Sequence, residues 1–160
     1  MHLLLQLLLP IPLHFRRMPH FKNAPMSKYQ FDVEVLSAYL PEQSAPTHAH
    51  FAFSYTITIV NTGEVPAQLI SRYWQIIDQQ GRTQEVKGLG VVGQQPLLKP
   101  GEAFQYTSGC VLPTGFGSMQ GHYFCVAEDG ERFEVPIAAF VLDASVGTQQ
   151  DDAPVSRTLH

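Results

Sequence analysis

The stretch Gly88-Leu89-Gly90-Val91-Val92-Gly93 spells the glycine pattern that seats a dinucleotide pyrophosphate on the amides opening a helix. That chemistry needs a helix directly after the third glycine. The next residues are Gln94-Gln95-Pro96-Leu97-Leu98-Lys99-Pro100, whose two prolines break any helix of useful length. Without its strand–turn–helix context the pattern is weak, so Rossmann-type binding is set aside. Two readings survive. The bare amides nest an anion, such as the phosphate of a small molecule, or the glycines serve a turn of the fold.

Arg72 stands beside Tyr73 and Trp74 in an otherwise apolar run. A half-buried guanidinium needs acceptors. It is either satisfied within the fold, with its stem along the sheet, or it is a pocket cation for a carboxylate or phosphate. The structural role carries more weight, because buried charges are mostly paired internally. His48 and His50, two apart, would share a face of an extended segment. Two imidazoles are half a metal site, and no Cys or carboxylate joins them at ligand spacing. His122 and Cys125, three apart, fall on opposite faces of a strand. No metal and no cofactor is expected. A cysteine nucleophile in Ser108-Gly109-Cys110 would need a base within reach, and the Gly-x-Ser-x-Gly pattern is absent. Cys110 shares the parity of Phe104 and Tyr106, which predicts a buried, inert thiol. No catalytic residue is assigned, and an enzyme is not expected.

Strands must carry these residues. Phe31, Val33 and Val35 alternate with Asp32 and Glu34, and Phe51, Phe53, Tyr55, Ile57 and Ile59 alternate with smaller or polar neighbours. Leu40 to Pro46 between them is a proline-marked loop. The run from Ala67 to Ile77 is apolar on both parities, as in a central strand, and Asp78-Gln79-Gln80-Gly81 turns it into a return strand over 82–87. Phe104, Tyr106 and Ser108 begin another strand, 118–128 another, and Asp129-Gly130 marks a hairpin into Phe133, Val135 and Ile137. Nothing has a sustained helical period. Seven to eight short antiparallel strands predict an all-β two-sheet sandwich of immunoglobulin or fibronectin type III kind over residues 29–143. Trp74 precedes both cysteines, which excludes the antibody spacing.

The chain has 160 residues, enough for one domain, and 44% of them are apolar. Residues 1–28 hold four Lys or Arg and no acid, whereas the remainder holds six against fourteen acids. So acidic a body repels a phosphate backbone, and nucleic acid is not an expected partner. The Leu-rich head puts Arg16 and Arg17 after its apolar run and is cut by Pro10 and Pro12. That order is wrong for a signal peptide, and the run is too short for a membrane span. Residues 1–28 are therefore expected to be extraneous, with the natural start at Met18 or Met26, and 144–160 to form a disordered tail. Two cysteines without an export signal read as reduced thiols of a cytoplasmic protein with no membrane partner.

Tyr39-Leu40-Pro41-Glu42-Gln43-Ser44, Tyr55-Thr56-Ile57-Thr58-Ile59, Ser71-Arg72-Tyr73-Trp74, Gly90-Val91-Val92-Gly93-Gln94-Gln95-Pro96, Leu98-Lys99-Pro100-Gly101-Glu102, Tyr106-Thr107-Ser108-Gly109-Cys110 and Gly117-Ser118-Met119-Gln120-Gly121 succeed one another in the order of the ApaG family. From Tyr29 to Asp143 the chain closely resembles that family. The resemblance implies a fibronectin type III-like sandwich and a link to cobalt and magnesium handling. It also implies a genetic association with a diadenosine tetraphosphatase and an rRNA adenine dimethyltransferase. Similar domains are appended to a eukaryotic F-box protein and to a DNA-polymerase-delta-interacting protein, where they are taken to bind other proteins. Leu89 stands where the family leads one to expect an acid, which weakens a cation site at this loop. The leading expectation is a non-catalytic module for an unidentified protein partner, with Tyr39, Tyr73, Trp74 and Phe116 on the recognition face near Arg72 and the glycine loop. The alternatives are a phosphorylated small molecule, such as a dinucleoside polyphosphate, at Gly88, Gly90, Gly93 and Arg72, and a divalent metal at His48 and His50. Edge strands leave room for a homodimer.

Overall fold

Alternation alone sets the first two strands. In the computed structural model, which describes residues 27–147, β1 (Phe31–Tyr39) and β2 (Phe51–Asn61) pair antiparallel, with Val33 opposite Ile59 and Val35 opposite Ile57. Phe53, Tyr55, Ile57 and Ile59 are buried on one face, as their period of two requires. The loop between the strands makes two short 3-10 turns, Pro41–Gln43 and Pro46–His48, each with proline at its start, where a missing N–H costs nothing.

The remaining strands are β3 (Ala67–Asp78), β4 (Thr83–Leu89), the two-residue β5 (Leu97–Leu98), β6 (Ala103–Leu112), β7 (Phe116–Ala127) and β8 (Arg132–Asp143). They form two antiparallel sheets: β1-β2-β6, and β4-β3-β7-β8 with β5 continuing the β4 side of β3. Three strands facing four in this order is the fibronectin type III arrangement, so the expected sandwich is what the chain forms.

The apolar bulk on both parities of β3 has a local cause. Leu69 pairs with Cys125 but Ser71 with Phe124, so Ile70 is an extra residue and the strand bulges there. Ala67 and Leu69 point into the core before the bulge; Trp74 and Ile76 do so after it. β8 does the same: Val135 and Ile137 are buried, the register slips, and Leu142 is buried on the other parity.

The core carries polar atoms as well as hydrocarbon. Tyr106 and Tyr123, one from each sheet, join their hydroxyls at 2.5 Å. Asn61, 2% exposed, donates to the carbonyls of Val65 and Leu98 and accepts from the amide of Gly63, so nearly all its capacity is used.

The domain boundaries are wider than the sequence implies. The Lys28 carbonyl accepts from the Glu64 amide, and its ammonium lies 3.5 Å from Asp129, which also accepts from the Tyr29 hydroxyl. Lys28 therefore belongs to the fold. Ala144–Gly147 continues β8 as a 3-10 turn, with the Ala144 amide on the Gly115 carbonyl. The expectations for the head before residue 27 and for the tail after residue 147 lie outside the described residues. Among the described residues no helix is long and apolar enough to cross a membrane.

Candidate functional site

The bulge at Ile70 decides which way the two residues of greatest interest point. After it, even-numbered residues of β3 face the other sheet, so Arg72 shares the inner side of its sheet with Trp74, and Tyr73 faces outward. On the inner side, Arg72 lies opposite Gly88 of β4 and Tyr123 of β7.

Each glycine of the motif has a different task. Gly88 lacks the side chain that would meet the Arg72 guanidinium: a Cβ there would stand 2.7 Å from Nη1. The guanidinium crosses β4 at this gap, and Nη1 donates to the carbonyls of Leu89 (3.1 Å) and Gly90 (2.9 Å). Gly90 has φ +63°, and a Cβ would run into the Gln94 carbonyl. Gly93 has φ +77° at the tip of a turn whose other central residue, Val92, has φ 44°. Positive φ at both central residues is the signature of a type I′ hairpin turn, and Val91 and Gln94 bridge it. Val92, a poor residue for that conformation, packs against the core instead. The amides of Gly90, Val91 and Gln94 are already donated, to Ile70, Gln94 and Val91 in turn. No helix succeeds the third glycine; the chain runs through Pro96 into β5.

Gly88→Ala is therefore expected to evict the guanidinium and uncouple it from both carbonyls. The cost is about 1–3 kcal/mol, the range for a buried polar group losing its partners. Urea midpoints check this. Arg72→Met should cost a similar amount, and the double variant less than the sum of the two. An unchanged midpoint in Gly88→Ala would contradict the placement.

On the outer side, Lys87, Tyr73 and His122 lie in one row across β4, β3 and β7. The Tyr73 and His122 rings stack 5.0 Å apart at 27°, and the Lys87 ammonium stands 5.6 Å from the Tyr73 centroid. The Tyr73 hydroxyl donates to Glu85 at 2.8 Å, and that bond raises the pKa of the phenol. His122 Nε2 lies 3.7 Å from a Glu134 oxygen. Together with Ser71, Arg72 and Leu89, the row lines an open depression of about 630 Å³. Leu89, from the middle of the glycine motif, is 75% exposed at its edge.

Of the four aromatics expected on one recognition face, only Tyr73 lies here. Trp74 is 2% exposed and packed edge-on by Tyr55, Tyr123 and Phe140, so its place in the core overturns that expectation. Tyr39 ends β1 in the other sheet and leans on Phe53, while Phe116 begins β7 opposite Asp143. Arg72, Gly88 and Gly90 do come together. His48 closes a 3-10 turn, Ala49 comes next at φ 51° and His50 bridges Ala45, so the extended segment assumed for the histidine pair is not formed. Cys110 and Cys125 are buried, and burial pushes both thiols up to about 12. They rest protonated, as expected for Cys110.

Lys87, His122, Glu85 and Leu89 carry no signal in the sequence that marks them as one site. The parity that buries Tyr123 and Cys125 does place His122 outward. That it meets Tyr73 emerges only from the β3–β7 register.

Known proteins share both the sequence and this architecture. The ApaG domain model matches residues 41–127. Protein ApaG of Acidovorax sp. (strain JS42) is 63% identical over 137 residues, which cover 84% of this chain and all of that protein. Protein ApaG of Ralstonia nicotianae is 61% identical over 117 residues, 73% of this chain and 94% of the relative. The crystal structure of an ApaA protein from Bordetella pertussis superimposes with a TM-score of 0.73 at 58% identity, covering 74% of this chain and 97% of that one.

Proposed function

The chain belongs to the ApaG domain family, and on that premise we propose that it is a protein-interaction module whose recognition face is the outer side of its larger sheet around Tyr73. The observation that carries this reading is the Lys87–Tyr73–His122 row. Tyrosine offers a large amphipathic surface, and interface hot spots are enriched in it. Here the ring is held on one side by His122, flanked by Lys87 and tethered through its hydroxyl to Glu85, all on paired strands. Binding on a surface already ordered costs little further side-chain entropy. The exposed Leu89 supplies an apolar neighbour at the rim of the same depression.

The phosphate-loop reading draws less support. Three amides of the loop and the Nη1 of Arg72 are committed to the chain itself. The metal reading draws none from His48 and His50, between which the backbone turns.

The test is quantitative capture with the full chain and with Tyr73→Ala, after thermal melts show that both are folded. A partner recovered by the parent should bind Tyr73→Ala at least tenfold more weakly, as truncation of a central aromatic anchor does. Phe116→Ala, distant in the fold, should bind like the parent. Equal retention by Tyr73→Ala would move the recognition face elsewhere.

A further inference from the structure

Going beyond that reading, we infer that the chain pairs with a second copy of itself through the free edge of β4, antiparallel and with the two-fold axis at Val86. The two larger sheets then become one. β4 has no strand on its far side, and none of its 7 residues is buried. The Asp78 amide donates to the Arg82 carbonyl and the Gly90 amide to the Ile70 carbonyl, so even-numbered residues of β4 bond to β3. By the alternation of an antiparallel ladder, Thr83, Glu85, Lys87 and Leu89 turn their N–H and C=O groups outward. Arg72 Nη1 already caps the Leu89 carbonyl. The backbone groups of Thr83, Glu85 and Lys87 are a template for one more strand.

Charge selects both the occupant and the register. Glu85 and Lys87 stand two apart on one side of this edge. Outward groups must meet outward groups, so odd residues of one copy face odd residues of the other. An axis at Glu85 sets two carboxylates face to face, and one at Lys87 two ammoniums, both unfavourable. Axes further along leave half of the outward residues past the end of the opposing strand. An axis at Val86 sets Glu85 of each copy against Lys87 of the other, and Thr83 against Leu89. A strand that complements itself under a two-fold rotation is what an isologous interface requires. The other three edges lack this property. β1 has two acids, Asp32 and Glu34, and no base, and β6 has no charged residue. β8 is interrupted by Pro136 and by the slip in its register, and its Val141 carbonyl accepts from the Ser37 hydroxyl. Pairing along β4 leaves Tyr73 of both copies on one continuous outer side, and it holds whether or not that side is the recognition face.

Sedimentation velocity over a concentration series of the full chain is the first test. The 17.8 kDa monomer should give way to a species of twice that mass as concentration rises. Glu85→Lys and Lys87→Glu, each shown by thermal melts to be folded, should each weaken self-association about tenfold, because like charges then meet twice. Mixed in equal amounts, the two variants should form a heterodimer at least as tight as the parent, since every like pair becomes an opposite one. Val86→Cys reports the axis directly. It sets one thiol of each copy across the two-fold at the roughly 4.5 Å Cα separation of a non-hydrogen-bonded pair, within disulfide reach. Mild oxidation should link it far faster than Gln84→Cys, which faces Gly88, while the buried Cys110 and Cys125 stay silent. A parent that stays monomeric at several hundred micromolar would overturn the inference. So would a dimer unmoved by both reversals, or reversed variants that do not rescue one another on mixing. Should either reversal fail to fold, Val86→Cys against Gln84→Cys decides alone: equal rates of linkage would remove the proposed axis.

Discussion

Gly121→Ala is expected to remove a large part of the stability of the fold. Gly121 lies on β7 directly opposite Trp74, at the junction of two strands that are each paired on both sides. A Cβ there would fall deep inside contact distance of the Tyr73 carbonyl oxygen, 2.9 Å from its carbon and 3.2 Å from the Trp74 Cα. All three are backbone atoms of a central strand, so no side-chain rotation relieves the clash. Relief requires β3 and β7 to part, which would undo the outer Tyr73–His122 stack and the inner packing around Trp74 together. Overpacking a core with side-chain freedom costs about 1–3 kcal/mol. Without that freedom the loss should exceed about 3 kcal/mol, a large part of the roughly 5–15 kcal/mol typical of a domain. Gly93→Ala is the control: nothing lies within 4 Å of its Cβ position, and only the positive φ opposes it, at roughly 1–2 kcal/mol. Urea unfolding of both variants separates the mechanisms. Similar midpoints for the two would show that the strands tolerate the extra carbon.

The same pair of strands shows what can and cannot be read from the residues. Period-two alternation locates β1 and β2, because a one-residue slip there would turn Ile57 and Ile59 to solvent. It fails on β3, where a bulge reverses the phase and apolar residues on both parities mimic a strand covered on both sides. That reversal is why Trp74, expected at the surface, is found in the core, and why it is Arg72, not its neighbour Tyr73, that lies on the inner side of the sheet. The glycine motif illustrates a second limit. Its prolines rule out the helix, but only coordinates show that Gly88 clears a path for the guanidinium of Arg72, a residue distant along the chain. The recognition row combines three strands, so it exists only once register is known. Spacing along the chain cannot supply it.

Raising the pH should unfold this domain well before its backbone chemistry is at risk. Cys110 and Cys125 are pushed by burial up to about 12. Tyr55, Tyr106 and Tyr123 are also raised by burial, and the Tyr106–Tyr123 pair shares one short hydrogen bond. The sign comes from proton counts. In the unfolded chain a thiol releases its proton near 9.0, while the folded protein keeps it until about 12. Between these values the unfolded state binds fewer protons, so stability falls as pH rises. Each group contributes a loss of about 1.4 kcal/mol per pH unit, and the two thiols together about 3. Above the ordinary tyrosine value of 10.0 the three phenols steepen the fall. A domain of ordinary stability is then exhausted at about pH 11. Urea midpoints should be flat from about pH 7 to 8.5 and drop beyond about pH 9, where the first of these groups begins to titrate. Cys110→Ala should start slightly less stable but lose about 1.4 kcal/mol less per unit between roughly pH 9 and 12, because one proton has left the balance. A midpoint that holds through about pH 11, or a slope unaltered by Cys110→Ala, would mean that these groups ionise in place without opening the sandwich.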